Sequence, residues 1–134
     1  MITPDIDVAT ALDAAIGTLT LGVNLFVGPR RDYRAVPVAV FVLSSGGIPS
    51  RPIKGGPDEK HPAVSIMVRG DNASTPSSFQ QGQALARLVF AAVDRVPPTG
   101  YCESRAPSSQ PFYLGTGPDG HHEWSIILNL TVDD

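Results

Sequence analysis

The chain has 134 residues, a length that suits one domain and leaves little room for a second. Ten Lys and Arg against thirteen Asp and Glu give a formal net charge of -3, which argues against a dedicated nucleic-acid-binding protein because such proteins carry a positive excess. A single cysteine, no apolar run near the ~20 residues of a membrane helix, and no signal-peptide pattern together predict a soluble protein of a reducing compartment.

The first element is predicted to be an amphipathic helix. Thr3 can cap it, and Pro4 suits the first helical position. Its apolar residues recur at spacings of three and four, as expected for one buried stripe: Val8, Leu12, Ala15, Ile16 and Leu19. A short strand follows at residues 24–27 and stops at Gly28-Pro29.

The clearest strand covers residues 36–43 and is apolar on both faces. Such a strand belongs in the middle of a covered sheet, or in a sheet whose second face meets a partner. The following residues, 44–61, are rich in Gly and Pro and have no periodicity, which predicts a long loop that is either functional or locally mobile.

A strand at residues 63–69 leads into the strongest helical pattern of the chain. Ser78 and Gln81 fit a capping box, and Pro97-Pro98 ends the helix. The predicted apolar stripe consists of Leu85, Leu88, Val89, Ala92, Val93 and Val96.

The last third is predicted to be strands at residues 101–106 and 112–116, a turn at 117–120, and a closing strand. In that closing strand Trp124, Ile126, Leu128, Leu130 and Val132 point inward, while Ser125, Asn129 and Thr131 point outward. The whole pattern predicts a single α+β domain over residues 1–134. It has two layers, with two helices on one face of a mostly antiparallel sheet of five to six strands.

Catalytic chemistry finds little support in the sequence. The only cluster of potential metal ligands is His121-His122-Glu123, and adjacent histidines on a strand point to opposite faces. A solvated hairpin turn is therefore the default interpretation. Cys102 is interpreted as a small core residue, and no nucleophile elbow or phosphate-binding loop is present. The sequence predicts no catalytic residues, no cofactor and no metal.

Charged residues in two loop segments are the candidate contacts to a protein partner. The first group is the basic cluster after Gly28-Pro29, for which a solvated turn is the simpler interpretation. The candidates are Arg30, Arg31, Arg34, Arg51, Lys54, Asp58, Glu59 and Lys60.

Several local phrases, in their order and spacing, carry a resemblance over residues 21–132. They are Leu25-Phe26-Val27-Gly28-Pro29, Val38-Ala39-Val40-Phe41-Val42 followed by Gly46-Gly47, Val64-Ser65-Ile66-Met67-Val68-Arg69-Gly70, Phe79-Gln80-Gln81-Gly82-Gln83-Ala84-Leu85, Ala106-Pro107-Ser108-Ser109-Gln110-Pro111-Phe112-Tyr113-Leu114-Gly115 and Trp124-Ser125-Ile126-Ile127-Leu128-Asn129. In these the chain resembles the small minor capsid or tail-completion proteins of bacteriophages, which belong with the tail terminators of long-tailed phages.

The resemblance implies a two-layer α+β subunit that assembles as a homo-oligomeric ring, usually of six copies, on the head-proximal end of the phage tail. Such a ring ends polymerisation of the tail tube protein and offers a surface to the head–tail connector. The implied location is the virion, after assembly in the host cytoplasm, with DNA passing through the lumen without specific binding. The family has no catalytic residues or cofactor to transfer.

Three alternatives stay open. The first is a different neck component, such as a head-side adaptor. The second is a small cytosolic metal-dependent enzyme using His121, His122 and Glu123 with Asp119, and the third is a host-derived binding module unconnected to phage. The ring's copy number, its contacting faces and the time at which it forms are not predicted.

Overall fold

The computed structural model describes residues 3–28, 38–50, 59–117 and 120–132, with the backbone alone described at 45–50 and 59–60. Within these ranges the helices and strands follow the predicted order. They are α1 (Pro4–Ala15), β1 (Leu25–Val27), β2 (Ala39–Ser50), β3 (Glu59–Asn72), α2 (Ser78–Val93), β4 (Tyr101–Arg105), β5 (Phe112–Thr116) and β6 (His121–Val132).

The strands form one mixed sheet in the order β1-β2-β3-β6-β4, with β5 also paired to β6. The β1–β2 pair is parallel and every other described pair is antiparallel. Both helices pack on this sheet, α1 mainly against β1 and β2, and α2 against β3 and β6. The predicted α+β architecture is confirmed.

The closing strand β6 pairs with three other strands, two of which form one edge of the sheet. While β3 pairs with one side of β6, β5 pairs with residues 122–125 on the other side, and β4 pairs there with residues 129–132. Consequently β4 and β5 lie end to end along one edge. Residues 126–128 of β6 face the gap between them, which the chain crosses at residues 106–111.

The core lies between the helices and the even-numbered residues of the three long strands. The predicted inward face of β6 is confirmed, since Trp124 and Leu130 are buried and Val132 packs against the core. The other core residues are Val8, Ala9, Leu12, Ile16, Leu19, Leu25, Val40, Val42, Val64, Ile66, Val68, Ala86, Val89, Val93, Tyr101, Ile126 and Leu128.

The first helix is shorter than its apolar pattern predicted. It ends at Ala15, which is exposed, whereas Ile16 and Leu19 are buried from the turn that follows. The Ile16 amide donates to the Leu12 carbonyl and the Leu19 amide to the Ile16 carbonyl, so the chain tightens and leaves the helical path while its side chains still reach the core.

One side-chain hydrogen bond ties α1 to β4. The Tyr101 hydroxyl donates to Oδ2 of Asp7 over 2.7 Å. Burial raises the pKa of Tyr101 well above its usual range, and the hydrogen bond to Asp7 raises it further because the phenolate would face a carboxylate.

The second helix begins as predicted, but its cap and its buried stripe differ from the prediction. Ser77 is the N-cap residue, with φ 64°, and no side-chain cap hydrogen bond forms, so the capping box is wrong. Leu88 and Val96 are exposed, while Gly82 and Ala86 are buried. At Gly82 a small residue faces the sheet because the Trp124 ring occupies the space where a Cβ atom would lie.

The long loop predicted at residues 44–61 is also wrong in part. Strand β2 continues to Ser50, and β3 begins at Glu59, which pairs with it. His61 therefore lies in a strand, where its Nδ1 is 3.2 Å from Oγ1 of Thr131. Antiparallel pairing is made by backbone hydrogen bonds and does not require alternating side chains, so periodicity could not reveal it.

Candidate functional site: an open sheet face and an adjoining cavity

Part of the sheet face opposite the helices exposes large apolar side chains. Leu43 lies opposite Ser65 on β3, and Ser65 lies opposite Ile127 on β6, so the two apolar residues share one row. Phe112 lies opposite Ser125, on the same face, and Leu114 lines a cavity with Phe112 and Ile127. We call the four exposed residues Leu43, Phe112, Leu114 and Ile127 the open face; 42–66% of their surface is accessible.

The remainder of this sheet face is closed by the chain itself. The Arg69 guanidinium lies 5.5 Å from the centre of the Phe41 ring, and Phe26 stacks on the same ring at 5.6 Å. Arg69 is also the cross-strand neighbour of Glu123, which places opposite charges side by side. Phe41, Arg69 and Glu123 are all buried, so this part of the sheet face is covered, whereas the part that carries the open face is accessible.

Four aromatic rings meet on the helical side of β5 and β6. Tyr113 lies opposite Trp124 in register, and the two ring centres are 5.3 Å apart. Phe79, in the first turn of α2, contacts both rings. The Tyr113 hydroxyl is 2.7 Å from Nδ1 of His122, which lies two residues before Trp124 on the same strand. This aromatic cluster therefore consists of Phe79, Tyr113, His122 and Trp124.

A cavity of about 550 Å³ adjoins this cluster. It is lined by Gln83 and Arg87 of α2, by residues 108–113, and by Trp124 of β6. A second cavity of about 310 Å³, lined by Phe90, Leu114 and Ile127 among others, shares Ser108, Gln110 and Phe112 with the first. The two cavities thus flank the segment that crosses the gap between β4 and β5.

The potential metal ligands are directed to different places. Nδ1 of His121 lies 2.9 Å from the Gly70 carbonyl oxygen, His122 contacts Tyr113, and Glu123 is buried beside Arg69. Among the residues that the structure describes, no three His, Cys, Asp or Glu side chains lie close enough together to hold a metal ion. Asp119 lies outside the described residues.

Cys102 is exposed, so its interpretation as a core residue is wrong. Its strand pairs with β6 through a register shift between Tyr101 and Glu103, and this bulge leaves the thiol outside, 3.7 Å from the Thr131 carbonyl oxygen. A bulge alters the alternation of faces, and sequence alternation alone does not reveal it.

Most of the candidate partner contacts cannot be placed. Arg30, Arg31, Arg34, Arg51, Lys54 and Asp58 lie outside the described residues, and Glu59 and Lys60 are described by their backbone at the start of β3.

Sequence reasoning anticipated a second sheet face that meets a partner, but it did not identify the residues of the open face, and it missed the cavity. The available signal was Ile127, an apolar residue at an outward position of β6 between Ser125 and Asn129. The cavity had no such signal, because α2 and residues 108–113 are brought together only by the fold.

Comparison with known proteins does not identify a family. No family model matches the chain, and no curated protein matches it. Neither described helix is long and apolar enough to cross a membrane.

Proposed function

We propose that this chain is a structural subunit of a bacteriophage virion: a tail terminator that forms a ring on the head-proximal end of the tail tube. The observation that carries the proposal is the open face, where Leu43, Phe112, Leu114 and Ile127 are exposed on one face of the sheet. Contiguous exposed apolar surface is typical of protein–protein contact sites. The kind of assembly, a ring on the phage tail, is inferred from the resemblance of the chain to tail-completion proteins.

The energetics of the open face favour association. Burying a large apolar side chain completely contributes about 1.5–3 kcal/mol, so covering four side chains that are about half exposed contributes roughly 1 kcal/mol each. Association also costs translational and rotational freedom, so the open face would act as the centre of a larger interface.

A ring requires a heterologous contact, in which one surface of a subunit meets a different surface of the next. The two sides of this subunit differ, since one is covered by helices and the other carries the open face. In the proposed mechanism the ring binds the last layer of tube subunits, blocks further addition sterically, and presents another surface to the connector. The net charge of -3 is compatible with a lumen that DNA traverses without binding.

The first test is native mass spectrometry with negative-stain imaging of concentrated, untagged protein. Six copies of a 14.1 kDa chain give a ring of about 85 kDa. In a phage, deletion of the gene is expected to give tails of uncontrolled length and unattached heads. Normal virions from the deletion would refute the proposal, and the position of the protein in virion images would separate a terminator from a head-side adaptor.

A matched pair of variants tests the open face itself. Ile127→Lys places a charge on the open face, whereas Leu88→Lys places one on the outer side of α2 at nearly equal exposure, 52% against 51%. We expect both variants to remain folded and only Ile127→Lys to lose the ring. Loss of the ring in Leu88→Lys alone would show that the open face is not the contact.

A further inference from the structure

The cavity between α2 and residues 108–113 is lined by polar side chains that make no hydrogen bond or ion pair within the described chain. Arg87 makes no ion pair with any residue in the part of the chain that the structure describes. Among the same residues, the side chains of Gln83, Ser108 and Gln110 make no hydrogen bond. The cavity therefore offers one guanidinium together with amide and hydroxyl donors.

The charge of the lining defines the ligand class. No Asp or Glu lines the cavity among the described residues, so Arg87 has its positive charge uncompensated there. A guanidinium binds a carboxylate through two parallel hydrogen bonds, and the neighbouring amides can complete the coordination of its oxygens. A nucleic-acid phosphate is a poorer match, because the cavity supplies one cation and the chain is net acidic.

The surroundings of the cavity define the shape of the ligand. Within the described chain β5 pairs on one side only, with β6, so its other edge is open to an added strand. Phe112 and Tyr113 of this edge strand are exposed and also line the cavity. An extended peptide along β5 could make backbone hydrogen bonds to the edge while an alternate side chain enters the cavity.

We infer that β5 and the adjoining cavity are a docking site for an extended, carboxylate-bearing segment of a partner protein, with Arg87 binding the carboxylate. This inference rests on the proposed assembly role, because it names the chemistry of a partner in that assembly. The docking site shares the β5 residues Phe112 and Leu114 with the open face, but it depends on Arg87, which lies outside the open face, so peptide binding can fail while ring formation holds.

Trp124 provides the assay, since it is the only tryptophan of the chain and forms part of the cavity wall. The probe is a blocked seven-residue peptide of alternating Thr and Val with one central Asp, titrated into the full chain while tryptophan fluorescence is recorded. The control peptide carries Asn in place of Asp. We expect the Asp peptide to bind and the Asn peptide to bind at least ten-fold more weakly.

Two protein variants test whether an arginine charge inside the cavity is needed, as opposed to an arginine charge elsewhere on the protein. Loss of a charge-assisted hydrogen bond corresponds to about a ten- to hundred-fold weaker affinity, which we expect for Arg87→Gln. Arg95→Gln removes the same charge beyond the end of α2, away from the cavity, and should leave the affinity unchanged.

Four outcomes would each overturn the inference. The first two are no fluorescence change at millimolar peptide and equal binding of the two peptides. The others are an equal loss of peptide affinity in Arg87→Gln and Arg95→Gln, and tighter binding of a short oligonucleotide than of the Asp peptide. A fall in native mass for Arg87→Gln alone would support it and assign the segment to a second copy of this chain. Rings that form normally while the peptide fails to bind would refute this inference and leave the proposed function standing.

Discussion

Replacement of Gly82 by alanine is expected to destabilise the protein, although it should strengthen the helix. Gly82 lies inside α2 and faces the sheet at the point where the helix crosses Trp124. A Cβ atom added there would clash with the Cζ3 and Cη2 atoms of the indole ring, well inside the 3.4 Å at which ordinary contacts begin. The ring would have to move by about 1 Å.

Two opposing effects set the magnitude. Alanine in a helix interior is favoured over glycine by about 1 kcal/mol. Overpacking a well-packed core costs about 1–3 kcal/mol. The indole cannot withdraw freely, because Phe79 and Tyr113 pack on it and Gly70 also lies close to its Cζ3 atom. We therefore expect a net loss of about 1 kcal/mol in the free energy of unfolding.

Equilibrium urea unfolding followed by far-ultraviolet circular dichroism measures this change. In a Trp124→Phe background the clashing ring atoms are absent, so Gly82→Ala should become stabilising there by about 1 kcal/mol. Gln80→Ala, at an exposed position of the same helix, should change stability by less than about 0.5 kcal/mol. If Gly82→Ala stabilises the parent chain by as much as it does in the Trp124→Phe background, the packing argument is wrong.

Three further changes test other parts of the fold. Ser104→Ala removes the buried hydroxyl that donates to the Val93 carbonyl over 2.6 Å at the end of α2, and should cost about 1–3 kcal/mol in urea unfolding. A loss below about 0.5 kcal/mol would show that this carbonyl is satisfied in another way. Tyr101→Phe removes the hydrogen bond to Asp7 and should cost about 1–2 kcal/mol at pH 7. Because the folded state raises the pKa of Tyr101, its contribution is complete below pH ~10, the pKa of an unfolded tyrosine, and declines at higher pH. The parent chain should therefore lose stability above pH ~10 more steeply than Tyr101→Phe, and parallel profiles would contradict this. Leu12→Ala, in the fully buried stripe of α1, should cost about 2–5 kcal/mol, and a much smaller loss would show that α1 is not part of the core.

Much of the fold follows from local patterns in the sequence. Alternation along residues 124–132 was sufficient to predict which side chains of β6 are buried, because a strand presents its faces with a period of two. The three-and-four spacing placed both helices, and the Gly and Pro residues at 117–120 predicted the hairpin between β5 and β6 that the pairing confirms. These features depend on neighbours in sequence, so one chain segment contains the necessary information.

Apart from the local differences at the end of α1 and the start of α2, the departures from prediction arise from contacts between distant segments. Gly82 lies in the buried stripe of α2, where a tryptophan from β6, 42 residues further along, takes up the space beneath the helix. Strand β2 extends into the Gly- and Pro-rich segment because β3 pairs with its backbone, and Cys102 is exposed because a bulge shifts β4 against β6.

Composition, hydrophobic spacing and turn residues by themselves determined the α+β fold of the described residues, with two helices on a mainly antiparallel sheet. Only the tertiary structure decided which part of the second sheet face is closed by Phe41 and Arg69, and which part, with Ile127, is exposed. It also decided that Arg87 faces a cavity beside an open strand edge. The physical reason is that periodicity shows which side of its own helix or strand a residue occupies. Register, bulges and strand order decide which other residues lie against that side.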